Sequence, residues 1–135
     1  MKRLLITGFA PFGGDKINPA WQAVQALPET VGQWELVKRE VPVTFRGAPA
    51  ALFEAMDECE PDAVLMIGLA ASRGAVTPER QGVNEMVARI PDNEGNQPQN
   101  EPNQRQNGQE DPNLQPRRRA NTIREPQPGQ GGIHL

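Results

Sequence analysis

The residues able to carry group-transfer chemistry in this chain are few: one thiol, one imidazole and a scattering of carboxylates. Cys59 stands between Glu58 and Glu60 at the end of a helical pattern. Two acidic neighbours disfavour the thiolate that a nucleophile needs, so Cys59 reads as a structural residue. His134 is the penultimate residue of a polar stretch that offers it no partner. Glu79 follows a short loop and sits beside Arg80, where carboxylates are most often solvated surface groups. A covalent hydrolase needs a nucleophile, a base and an acid that orients the base. The spacing of these residues alone does not assemble one. No group of His, Cys and acids has metal-ligand spacing, and neither a metal nor a cofactor is expected.

A second feature is the run Thr7-Gly8-Phe9-Ala10-Pro11-Phe12-Gly13-Gly14. It has neither the G-x-x-x-x-G-K-[ST] nor the G-x-G-x-x-G spacing, so it is not read as a nucleotide cradle. Two aromatic rings on a Gly-rich loop after an apolar strand suit the walls of a small apolar pocket. The alternative is that Phe9 and Phe12 simply pack beneath the loop, and the residues leave both open.

The elements that would position these residues follow from periodicity. Residues 3–7 form a continuous apolar run closed by Gly8, the pattern of a strand buried on both faces. Asn18-Pro19 opens a helix, since Asn caps free amides and Pro fits the first turn. Trp21, Val24 and Leu27 make its apolar stripe, and Pro28 stops it. Residues 34–43 alternate and read as a second strand. Residues 49–59 read as a second helix with Leu52, Phe53 and Met56 inward, and residues 63–68 as a third buried strand. This order predicts an α/β fold, a three-layer α/β/α sandwich around a largely parallel sheet. In such sheets chemistry gathers beyond the carboxyl ends of the strands, which here means the loops at 8–17 and 69–77.

Composition splits the chain at residue 98. All Trp, Phe, Met and Cys residues precede it, and afterwards the sizeable apolar side chains are Leu114, Ile123, Ile133 and Leu135. So little apolar surface cannot offset an ordering cost of roughly 1–2 kcal/mol per residue. We therefore expect a partial α/β domain over 1–98 and a low-complexity, disordered tail over 99–135. Net charge is −3, and the cluster Arg117-Arg118-Arg119 lacks interleaved aromatics, so nucleic-acid binding is not expected. A single cysteine excludes an internal disulfide and suits a reducing cytoplasm. The apolar run after Lys2-Arg3 is too short for a signal segment or a membrane span.

The stretches Ile6-Thr7-Gly8-Phe9-Ala10-Pro11-Phe12-Gly13-Gly14, Ile17-Asn18-Pro19-Ala20-Trp21 and Glu40-Val41-Pro42-Val43 are collinear with a known pattern. So are Glu60-Pro61-Asp62-Ala63-Val64, Gly68-Leu69-Ala70, Thr77-Pro78-Glu79-Arg80 and the run from Ala88 to Pro98. Together they resemble the pyroglutamyl peptidase I family over about the first half of a family member. The resemblance implies a cytoplasmic, often oligomeric cysteine peptidase that removes amino-terminal pyroglutamate from peptides with a Cys-His-Glu triad. It implies that Glu79 is the triad acid and that Phe9, Phe12 and Ile90 line the pyrrolidone pocket. It also implies that Asn18 and Arg89 lie near the reaction centre. The family's Phe-Val-Cys-Asn-type nucleophile segment and its His segment are absent from this chain. Leu69 and Ala71-Ser72 replace a Gln and a Gly-Gly pair, and Gln81-Gly82 replaces an apolar pair. The expectation is a truncated or frame-disrupted peptidase, inactive as given. The alternative is a non-catalytic α/β interaction module with a flexible Gln/Asn/Pro/Arg-rich tail.

Overall fold

The computed structural model describes residues 1–82 and 85–101. The chain runs β1 (Lys2–Phe9), α1 (Pro19–Ala26), β2 (Thr30–Val31), β3 (Trp34–Val41), α2 (Gly47–Cys59), β4 (Ala63–Ile67), β5 (Met86–Val87) and β6 (Gln99–Glu101). β1 lies between β3 and β4 and pairs with both in parallel, giving the order β2-β3-β1-β4. β5 and β6 form a small antiparallel sheet of their own.

Successive side chains of a strand point to opposite faces, and β1 uses this to build two cores. Leu5 packs with Leu52, Ala55 and Cys59 of α2, whereas its neighbour Ile6 packs with Val24 of α1 and Leu36 of β3. Val37, Val64 and Met66 join the α2 side; Leu4, Trp34 and Ile67 join the α1 side. One helix therefore covers each face, and the three-layer α/β/α arrangement is realised around a mostly parallel sheet.

Local chemistry fixes both helices. The Asn18 carboxamide oxygen accepts from the Ala20 amide at 2.9 Å, and Pro19 occupies the first turn. Ala20 and Val24 are the fully buried residues of α1, with Trp21 and Leu27 half-buried beside them. α1 approaches β1 so closely that a Cβ on Gly8 would lie 2.7 Å from the Trp21 Cα. α2 begins at Gly47, earlier than the expected 49, because the Thr44 hydroxyl accepts from the Gly47 amide at 2.8 Å. Its inward stripe is Ala48, Leu52, Ala55 and Cys59, with Met56 partly buried; Phe53, expected inward, is half-buried at the margin. At its end Glu60 adopts the left-handed conformation, φ 45, and its amide donates to the Met56 carbonyl. Arg3 donates from Nη1 to the Cys59 carbonyl at 2.8 Å, a cation placed where free helix carbonyls point.

Three details differ from the periodicity. β3 stops at Val41, two residues short of the expected end, since Pro42 has no amide to continue the ladder. β2 is an antiparallel edge strand of 2 residues, turned onto β3 by Gly32 at φ 57. Regular pairing extends 3 residues beyond the expected boundary at 98, into β6. The remainder of the expected tail, including Arg117 to Arg119 and His134, lies outside the described residues. Among the described residues the outer edge of β4 has no strand partner, and Leu65 on it is 48% exposed. No helix among them is long and apolar enough to cross a membrane.

Candidate active site

The carboxyl ends of β1, β3 and β4 carry the loops on which most of the expected site residues stand. Phe9, the last residue of β1, is buried against Val41, Val43 and Ala48, with Phe12 and Ala51 packed at the margin. Gly68, just past β4, meets the Phe9 ring: a Cβ there would sit 3.6 Å from Cε2. Phe9 is thus part of the core floor, while Phe12 is only half-buried and remains the more open ring. Both rings pack in the same cluster beneath the loop, Phe9 within it and Phe12 at its margin.

The loop from 10 to 17 is tied down at both ends. The Ala10 amide donates to the Val41 carbonyl at 2.8 Å, extending the line of β1 beyond its ladder. Asn18 donates from Nδ2 to the Ala10 carbonyl at 3.0 Å while its oxygen caps α1. Asn18 is buried, and these two bonds make it the clamp between loop and helix. Gly13 and Gly14 take positive φ, 63 and 85, which the turn over Phe12 requires.

The segment from 88 to 98 folds as a closed excursion between β5 and β6. The Ala88 amide donates to the Pro98 carbonyl at 2.9 Å, and Gln97 Nε2 donates to the Ala88 carbonyl at 3.3 Å. Arg89 and Ile90 are exposed on this excursion. Its anchor is Asp92, a residue to which the sequence alone assigned no role. Asp92 is 6% exposed; Oδ2 accepts from the Phe45 amide at 2.9 Å, and Oδ1 accepts from the amides of Glu94 at 2.9 Å and Asn96 at 2.8 Å. Burial by itself pushes this carboxyl up. The backbone donors of Phe45, Asn96 and Glu94, joined by the Asn96 side chain, outweigh it and hold the group below its ordinary value.

Asn93 completes the connection. Its amide donates to the Val43 carbonyl at 3.1 Å, its Nδ2 donates to the Pro11 carbonyl at 3.0 Å, and its Oδ1 accepts from the Gly13 amide at 3.3 Å. The structure therefore brings the loop of Phe12, the clamp Asn18 and the excursion of Arg89 and Ile90 into one hydrogen-bonded unit. Glu79 stands on the loop after β4, half-buried, with Arg73 Nη1 at 3.1 Å from Oε1. Arg73 also donates to the Thr77 hydroxyl, so the acid's neighbour is itself held. Cys59 lies in the α2 core. Among the described residues no group of three or more His, Cys, Asp or Glu is arranged to hold a metal ion.

The pyroglutamyl peptidase family model matches residues 2–110. This chain belongs to the pyroglutamyl peptidase family. It is 48% identical over 100 residues to a pyrrolidone-carboxylate peptidase of Thermococcus onnurineus, covering 74% of this chain and 50% of the relative. Against the pyrrolidone-carboxylate peptidase of Clostridium perfringens the identity is 49% over 96 residues, covering 71% and 45%. The crystal structure of Bacillus amyloliquefaciens pyroglutamyl peptidase I superposes with a TM-score of 0.72 at 46% identity, over 76% of this chain and 50% of that one. The chain thus spans about half the length of the family members it matches.

The matched range contains Phe9, Phe12, Asn18, Glu79, Arg89 and Ile90 together with Asp92 and Asn93. The signal for the last two was local: Asp-Asn-Glu-Gly is turn chemistry, and Gly95 takes φ 82 in that turn.

Proposed function

We propose that these residues form the amino-terminal part of a cysteine-type pyroglutamyl peptidase, supplying pocket walls and the triad acid but neither nucleophile nor base. The observation that carries this reading is where the only thiol lies. Cys59 is buried among Leu5, Leu52 and Ala55 at the end of α2, before the chain enters β4. The chain reaches Glu79 only after β4 has crossed to the carboxyl end of the sheet. Among the described residues the buried neighbours of this thiol are aliphatic side chains, which cannot take its proton.

In this reading Phe12 and Ile90 offer apolar surface to a pyrrolidone ring, with Phe9 as the floor beneath. Asn18 acts by holding the loop, and the exposed Arg89 serves as a polar contact at the rim. Glu79 would orient the imidazole that accepts the thiol proton, and the thiolate would attack the pyroglutamyl acyl carbon. The substrate class is peptides with an amino-terminal pyroglutamate, and a reducing cytoplasmic setting and homo-oligomer formation belong to the same proposal. The purified chain is expected to release no fluorophore from a pyroglutamyl-aminocoumarin, because binding surfaces do not replace a missing nucleophile. Turnover that persists in Cys59→Ala and disappears in Glu79→Ala would overturn this reading.

One observation favours a second reading, a non-catalytic interaction module. Among the described residues the outer edge of β4, an apolar strand, has no strand partner, and such an edge is a template for adding another strand. Association at that edge predicts a concentration-dependent mass in size-exclusion chromatography with light scattering. A monomer at all concentrations, with no binding of hydrophobic dye, is the result that removes this reading.

A further inference from the structure

Asn93 makes more connections between separate loops than its exposed position suggests. Its side chain is bound on both ends to the loop that carries Phe12, through the Pro11 carbonyl and the Gly13 amide. Its own amide is bound to the Val43 carbonyl, next to the Thr44 cap of α2. The residue before it is Asp92, which fixes the same turn to the Phe45 amide. Asn93 therefore has little freedom to follow the loop. The loop's other ties lie at Ala10, at Asn18 and in the turn from Phe12 to Asp15, and Asn93 adds the two side-chain bonds that hold Pro11 and Gly13.

We infer that Asn93 is a positioning residue that sets the separation of Phe12 and Ile90, and so the width of the pocket for a five-membered lactam. This rests on the pocket reading given above. A carboxamide suits the task because it donates at one end and accepts at the other, matching a carbonyl and an amide two residues apart. Alanine removes both bonds. Aspartate keeps the acceptor for Gly13 but turns a second acceptor toward the Pro11 carbonyl, so its effect is intermediate.

The test uses the full chain and two readouts. Amide hydrogen exchange at Gly13 follows the bond directly: in Asn93→Ala it is expected to accelerate at least about tenfold, with the amides of β1 and α2 unchanged. Affinity for free L-pyroglutamate, followed by chemical-shift titration, is expected to weaken by about tenfold in Asn93→Ala and by less in Asn93→Asp. Glu94→Ala, which keeps the backbone amide that Asp92 uses, is expected to match the parent in both. A parent chain that does not bind L-pyroglutamate defeats the pocket reading, while the exchange at Gly13 still decides the role of Asn93. Unchanged exchange at Gly13 in Asn93→Ala overturns the inference whatever the ligand does. If Asn93→Ala fails to fold, Asn93→Leu, which keeps the shape of the carboxamide but neither its donor nor its acceptor, decides by the same two measurements.

Discussion

Asp92→Ala lowers the stability of the folded chain by about 2–4 kcal/mol at neutral pH. Three backbone amides, those of Phe45, Glu94 and Asn96, lose their acceptor together. An unsatisfied donor costs roughly 1–3 kcal/mol where water cannot replace the partner, and these three are partly reachable, so the sum falls below the upper limit. Asp92→Asn keeps an oxygen for two of the amides but presents an NH2 to the third, and is expected to cost about 1–2 kcal/mol.

The pH dependence separates this from simple packing loss. The folded carboxyl lies below its ordinary value, so the folded state favours the ionised form. Its contribution is fully present above the ordinary carboxylate pKa of about 3.9 and is lost as pH falls through the lower folded value. The gap in melting temperature between parent and Asp92→Asn should therefore be wide at pH 6 and should narrow as pH falls below the ordinary carboxylate value and through the lower folded one, as Asp92 takes up a proton. A gap that stays constant across that range would mean that the charge contributes nothing.

Gly8→Ala is the second large effect. The added Cβ would meet the Trp21 Cα at 2.7 Å, the Trp21 nitrogen at 2.9 Å and the Ala20 carbonyl oxygen at 3.0 Å. All three are backbone atoms, so no rotamer change relieves the clash. Gly8 cannot retreat either, because it is paired to Glu40 on one side and Ile67 on the other. The helix must lift from the strand, at a cost of about 3 kcal/mol, or on the order of 10–20 °C in melting temperature. The clash is with main chain, so adding Trp21→Ala to Gly8→Ala should not restore stability. Recovery in the double variant, or a melting temperature within about 2 °C of the parent, would contradict this account.

Much of the frame could be read from local patterns, because its causes are local. The apolar run of β1, the Asn18-Pro19 start of α1 and the stop at Pro28 each act within a few residues. The start of α2 is less legible, because Pro49 is the more conspicuous signal whereas the bond at the helix start is made by the Thr44 hydroxyl. β2 is not legible in the sequence because two residues, Thr30 and Val31, are too few to show a period.

The candidate site was legible in a different way. Phe9 and Phe12 stand out on their Gly-rich loop and Asn18 as a helix cap, whereas site roles for Glu79, Arg89 and Ile90 come from resemblance alone, and no spacing rule gathers the six. Asp92 could be recognised as a turn residue, but nothing near it announces that its acceptor is shared with Phe45. Arg73 is comparable: the sequence sets Arg80 beside Glu79, while the fold brings Arg73 back onto its carboxylate. Contacts between distant segments depend on the folded path of the chain, and a local pattern does not encode that path.

The opposite orientations of Leu5 and Ile6 make β1 a common wall between two apolar compartments. α1 and α2 communicate through that wall, each by way of the residue next to the other's. Loosening either compartment strains the shared strand, so the two helices are expected to be lost in one cooperative step and not in sequence. An intermediate with α2 docked and α1 free would have to keep Leu5 seated while Ile6, joined to it by a single peptide bond, opened to water.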